Sequence, residues 1–225
     1  MSHRKISLTA GLLYLLTFVS IPTLAMYSTV KGANFLVNGS SATSAIISGL
    51  LEIIVALAGI GTAVVLFPIL KKQNESAALG LVAARILESS AIFIGVACLS
   101  TIVAMKHAGL GANGLSASHM LVALYDRIFL LSQSFMPAIC DLLLGFMLLK
   151  SRLVPKGLAM IGIVGAPLLL AGYVAVLFGG LEQHAKLAGL SSIGVAVFEF
   201  SLGLWLVFKG FNSEAVTTLE KRASV

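Results

Sequence analysis

Residues 81–96 read LVAARILESSAIFIGV, an apolar run that carries Arg85 and Glu88 three positions apart. On a helix that spacing puts both side chains on one face, where they can pair. Arg85 can equally reach a carboxylate on a neighbouring helix; by depth Asp141 is the best match and Glu199 the next. Five further ionisable residues lie inside apolar stretches: Glu52, Asp126, Arg127, Asp141 and Glu199. At the centre of a bilayer each costs roughly 2.5–3.5 kcal/mol on insertion scales, so an unpaired, lipid-facing set is untenable. Such residues face a bundle interior, a wet cavity or one another.

Helical phase agrees with that placement. Ser48, Glu52, Ala56, Gly59 and Ala63 form one small and polar stripe. His119, Asp126, Gln133, Pro137 and Asp141 follow at spacings of seven, seven, four and four and share a face. Ser192, Glu199 and Gly203 align in the same way. Asp126 and Arg127 are adjacent, about 100° apart on a helix, so they address different partners. Glu52 is the acid best placed for Arg127.

The five acids exceed the two arginines by three charges if all ionise. Either some acids hold a proton near neutral pH, or a cation binds, or water reaches them. Proton- and cation-coupled transporters use intramembrane acids of this kind. The candidate substrate or ion pathway is therefore Glu52, Arg85, Glu88, Asp126, Arg127, Gln133, Asp141 and Glu199. Within it, Glu88, Asp141 and Glu199 would form a coupling site whose charge Arg85 balances. Arg127, Glu52 and Asp126 would form an outer gate.

Two other classes compete with a transporter. Buried Arg–carboxylate pairs also fix helix register, and protonated acids donate hydrogen bonds between helices, as in a sensor or assembly module. In that reading Glu52 and Asp126, near the outer interface, are merely solvated. An intramembrane enzyme acting on a lipid or quinone is the third, supported only by the outer histidines and the acid–Arg clusters.

The elements that position these residues follow from composition. The chain of 225 residues is 58% hydrophobic and 11% charged, with mean hydropathy +1.03. A soluble domain of this size carries far more charge. The apolar runs are continuous rather than alternating, which selects helices over a barrel. The fold class is all-α: a polytopic membrane protein, a bundle of six transmembrane helices in the lipid bilayer. The spans fall at about 6–28, 44–70, 79–105, 119–149, 157–180 and 190–211, separated by loop chemistry such as KKQNES and KSRLVPK. Residues 1–211 thus form the transmembrane domain and 212–225 a polar cytoplasmic tail, read as an exposed short helix or disordered. The basic start and long apolar stretch at the N-terminus read as a retained first helix with Pro22 near its outer end.

Lys and Arg set the orientation. With the N-terminus inside, the cytoplasmic side holds ten of them and the outer side three (Lys31, Lys106 and Lys186). Both termini are therefore expected in the cytoplasm. The fourth span is longer than hydrocarbon requires, and Pro137 in its middle is the expected kink. The fifth is rich in small residues, with Gly162, Gly165, Ala166, Leu169 and Gly172 at helical spacing. Such a stripe lets helices pack closely and offers a contact surface for a homodimer. An inverted repeat of three spans plus three finds no clear self-similarity. Trp205 and Tyr27 suit interfacial anchoring.

Several chemistries drop out. The basic residues sit at span ends and form no aromatic-interleaved patch, so no nucleic-acid partner is expected. Cys98 and Cys140 lie at different depths, against a disulfide. With no mid-span His or Lys, a bis-His haem and a retinal Schiff base are excluded, and no HExxH, GxSxG or P-loop occurs. No cofactor is implied. His107, His119 and His184 fall on the outer side with Glu182, and such groups can bind zinc. Their spacing matches no metal motif, and solvated loop histidines are the plain reading. Substrate and coupling ion are not written in the residues.

RILE at 85–88, LLKSRLVPKGLAMIGIVG at 148–165 and EFSLGLWLVFKGF at 199–211 resemble a bacterial family catalogued as domain of unknown function 4386. The resemblance covers nearly the whole chain, and its most specific parts are Glu199, Trp205 and Gly210 with the basic, Pro-containing loop. It implies a six-helix protein of the bacterial inner membrane and carries no activity with it.

Overall fold

The structure, a computed structural model, describes residues 2–183 and 185–223. His184, one of the outer histidines, lies outside the described residues. All regular structure among the described residues is helical. In chain order the α-helices are α1 (His3–Thr17), α2 (Thr23–Met26), α3 (Thr43–Leu70), α4 (Glu75–His107) and α5 (Leu115–Leu130). They continue with α6 (Met136–Ser151), α7 (Lys156–Leu177), α8 (Lys186–Ser191), α9 (Ile193–Phe208) and α10 (Ser213–Ala223). Six stretches are long and apolar enough to cross a membrane: His3–Met26, Thr43–Leu70, Glu75–His107, Gly111–Ser151, Lys156–Leu177 and Lys186–Phe208. The chain is a multi-pass integral membrane protein.

Helix ends carry the expected signals. Asn74 caps α4 by accepting from the Ala77 N–H at 2.9 Å, and Glu75 stands in its first turn. Lys106 and His107 occupy the last turn, where positive charge complements the helix dipole.

The spans pack in chain order, and the last closes on the first. α1 lies on α3, α3 on α4, α4 on α5 and α6, α6 on α7, α7 on α9, and α9 on α1. Small residues set the closest approaches. A Cβ built on Gly165 would stand 2.7 Å from the Gly194 backbone, and one on Gly11 would stand 2.7 Å from the Gly203 carbonyl oxygen. Gly162 faces the Phe198 ring in the same way. The small-residue stripe of the fifth span is thus consumed inside the molecule, against the sixth. It is not a free surface for a second copy.

Both termini lie at one end of the ring. Arg4 donates to the Leu206 and Val207 carbonyls. Glu220 of α10 meets His3 at 3.2 Å and Lys72 at 3.0 Å. The Lys72 hydrogen bond holds the exposed Glu220 carboxyl below its usual range. The tail is not a free segment: Ala215, Val216 and Leu219 of α10 are buried in one apolar cluster with Ile6, Leu70 and Leu153. At the opposite end, the segment between α2 and α3 folds inward through Tyr27, Val30 and Phe35. Lys106 pins it by donating to the Phe35 and Asn38 carbonyls.

Candidate functional site

Three of the six spans are interrupted. In the first, α1 ends at Thr17, a 3-10 turn covers Phe18–Ser20, and α2 begins after Pro22. In the fourth, a π-helical turn covers Leu131–Phe135 and α6 carries Pro137 in its first turn. Pro137 has no N–H, and its ring crowds the carbonyl of Gln133, so the regular i to i−4 hydrogen bond is lost at this point. The wider turn accommodates it. The distortion expected at Pro137 therefore sits in the turn before it. In the sixth span, α8 stops at Ser191 and α9 starts at Ile193. The Ser191 and Ser192 hydroxyls bond back to the Ala188 and Gly189 carbonyls at 2.6 and 2.7 Å.

These interruptions converge. A cavity of about 460 Å³ is lined by Ser20, Gln133, Ser134 and Ser192, together with Glu52 and Gln183. A second, of about 170 Å³, shares the Ser20, Gln133 and Ser192 walls and reaches Arg85, Glu88 and Glu199. Gln183 belongs to the connection at the end away from the termini, so the two cavities follow one another from that end toward the charge centre. Irregular backbone at membrane depth is tolerated where it is buried in protein or lines a wet cavity.

The charge centre is built on one cation. Arg85 is 3% exposed. Its Nη1 donates to both Glu88 carboxylate oxygens at 3.1 and 2.9 Å, and its Nη2 donates to Glu199 Oε1 at 2.5 Å. Asp141 Oδ1 stands 3.8 Å from the same Nη2. Glu199 is thus the nearer interhelical partner and Asp141 the farther, the reverse of the order that depth suggests. Asp141 is fully buried, and neither of its carboxylate oxygens has a hydrogen-bond partner among the described residues. The Cys140 thiol donates to Glu88 Oε2 at 3.5 Å, and the Tyr14 ring lies 5.8 Å from the guanidinium carbon. One guanidinium thus faces three carboxyl groups, from α4, α6 and α9.

Glu52 forms a separate site on the wall of the larger cavity. The Tyr27 and Tyr125 hydroxyls donate to its two oxygens at 3.1 and 3.2 Å, and their rings meet edge to face at 5.5 Å. Arg127 is not its partner: that side chain is exposed and makes no ion pair among the described residues. Asp126 pairs instead with Lys31, whose ammonium also lies 5.3 Å from the Tyr125 ring centre. Gln183 donates to the Asp126 backbone carbonyl at 2.9 Å. The outer gate drawn from Arg127, Glu52 and Asp126 thus divides into a Glu52–tyrosine site and a Lys31–Asp126 pair, without Arg127.

The expected stripe of the fourth span is kept at Gln133, which lines both cavities, and at the buried Pro137 and Asp141, but is displaced by one residue before them. Ser118, Tyr125 and Ser132 are buried at spacings of seven, and Leu130 is buried as well, while His119 is exposed and Asp126 half-buried. After Ser132 the π turn adds a residue to the phase, and Asp141 then faces inward. That buried seven-residue spacing was the available signal for Tyr125. Tyr27 reads as an interfacial anchor and serves instead as a ligand of Glu52. His119 contacts the Ala33 carbonyl oxygen at 3.0 Å, and His107 and Glu182 are exposed. Among the described residues no three His, Cys, Asp or Glu side chains come together as a metal site.

Six apolar spans closed around a single guanidinium and three carboxyl groups define an integral membrane protein with an internal charge centre. The family model described as Domain of unknown function (DUF4386) matches residues 9–210, and the chain belongs to that family. The match includes every residue of the charge centre and of the Glu52 site. No curated protein and no solved structure matches the chain.

Proposed function

We propose that the protein is a small proton-coupled permease of the bacterial cytoplasmic membrane, with both termini in the cytoplasm. The carrying observation is the pair of adjoining cavities, which meet Arg85, Glu88 and Glu199 beside three interrupted spans. Interrupted helices around a mid-membrane site are the usual construction of secondary transporters. The excess of Lys and Arg at the end bearing the termini supports the orientation.

The geometry suggests how a proton would be used. A proton arriving through the cavity on Glu199 weakens its hold on Arg85 Nη2, and Asp141 waits 3.8 Å away as the alternative partner. Exchange of partner loosens the tie between α4 and α9, and α9 can then move about the break at Ser192. A proton suits the site because it requires a single carboxylate oxygen rather than a shell of ligands.

The test is proton flux in proteoliposomes, read with an internal pH dye under an imposed membrane potential and a panel of small solutes. Wild-type protein is expected to carry flux, and folded Glu199→Gln to lose it at least tenfold. Flux that persists unchanged in Glu199→Gln contradicts the proposal.

A further inference from the structure

At the end carrying the termini, a cavity of about 500 Å³ opens between two turns, one through Arg152–Lys156 and one through Lys209–Ser213. The Asn212 N–H donates to the Leu153 carbonyl at 2.9 Å and ties the turns together. Arg152, Lys156 and Lys209 all line the cavity, and no acidic residue does. All three cations are exposed, and none makes an ion pair among the described residues.

Two features go beyond a charged surface. α7 begins at this cavity with Pro155 as its N-cap and no side-chain cap. Its first-turn N–H groups therefore add positive potential where the cations gather. The lining also holds Trp205, whose indole N–H donates to the Gly210 carbonyl at 3.1 Å. Phe208, one turn along α9, is 74% exposed. The cavity sits where the spans end, lined by three cations together with Trp205, and Phe208 stands exposed outside its lining. A soluble anion needs only the first of these.

We propose that this cavity binds the phosphate headgroup of an anionic phospholipid. Arg152 grips the phosphate with its planar fork, Lys156 and Lys209 flank it, and an acyl chain lies along Trp205 and Phe208. This site is independent of the permease reading, sharing no residue with the charge centre.

The experiment measures the thermal unfolding midpoint of the full-length protein in detergent, titrated separately with phosphatidylglycerol, phosphatidylcholine and inorganic phosphate. Phosphatidylglycerol alone is expected to raise the midpoint. The triple variant R152Q/K156Q/K209Q should need at least tenfold more of it, while the charge-matched K5Q/K71Q/K150Q should respond like wild type. If the first triple variant does not fold, R152Q alone is expected to weaken the response. Equal loss in both triple variants would mean diffuse charge attraction and overturn the site. An equal response to inorganic phosphate would assign it to a soluble anion, and an equal response to phosphatidylcholine would remove the headgroup requirement.

Discussion

Arg85 holds together groups that could not otherwise share a membrane interior. Its guanidinium reaches Glu88 on its own helix and Glu199 on α9, with Asp141 of α6 and the Tyr14 ring of α1 beside it. Removing one partner of a buried ion pair leaves an uncompensated charge, at a cost of about 3–5 kcal/mol. Arg85→Leu is expected to lower stability by that order, read as a lower unfolding midpoint in detergent. Arg85→Lys should recover only part of it, because one ammonium cannot present the planar fork that meets Glu88 and Glu199 together. The Arg85–Glu88 pair is legible from spacing alone, since three residues on a helix fix a shared face. The preference for Glu199 over Asp141 is not legible, because depth counting ignores the π turn above Asp141. Depth pairs Glu52 with Arg127, whereas its partners come from an inward-folded segment and a neighbouring face of α5.

At the level of elements, the apolar runs mark six crossing stretches, because a helix in lipid must be continuous in hydrophobicity to cross. Their interruptions are harder to see. Pro22 reads as the outer part of an unbroken first helix and Ser192 as one position of the sixth span's polar stripe, yet each marks a break, and Ser20, Ile21 and Thr23 beside Pro22 line the larger cavity with Gly189, Ser191 and Ser192. The π turn has Pro137 as its only trace in the sequence. Contact between α7 and α9 is set by backbone approaching backbone at Gly165 and Gly194. A methyl at Gly165 has no flexible side chain to displace, so Gly165→Ala is expected to cost roughly 1–3 kcal/mol. Gly157, in the first turn of the same helix, has nothing within 4 Å of an added Cβ. Gly157→Ala should be neutral or stabilise by up to about 1 kcal/mol. Thermal unfolding of the two variants side by side separates close packing from helix propensity.

For the whole molecule, the ring closure of α9 on α1 turns three polar faces toward one interior, and the broken spans leave that interior hollow toward the end away from the termini. Fold class was legible because composition and run length admit little else; the hollow was not, because it arises where helices stop rather than where residues repeat. Water is expected to follow this hollow to the charge centre. Gln133, on the wall of both cavities, reports on it most directly. In a background of Cys98→Ala and Cys140→Ala, Gln133→Cys would be exposed to a small, membrane-impermeant methanethiosulfonate from each side of sealed vesicles, with lipid-facing Leu57→Cys as the unreactive reference. Rapid modification from the side opposite the termini is the expected result. A Gln133→Cys as inert as Leu57→Cys would mean a dry interior, contradict a proton path to Glu199 and leave the buried charges as a packing device.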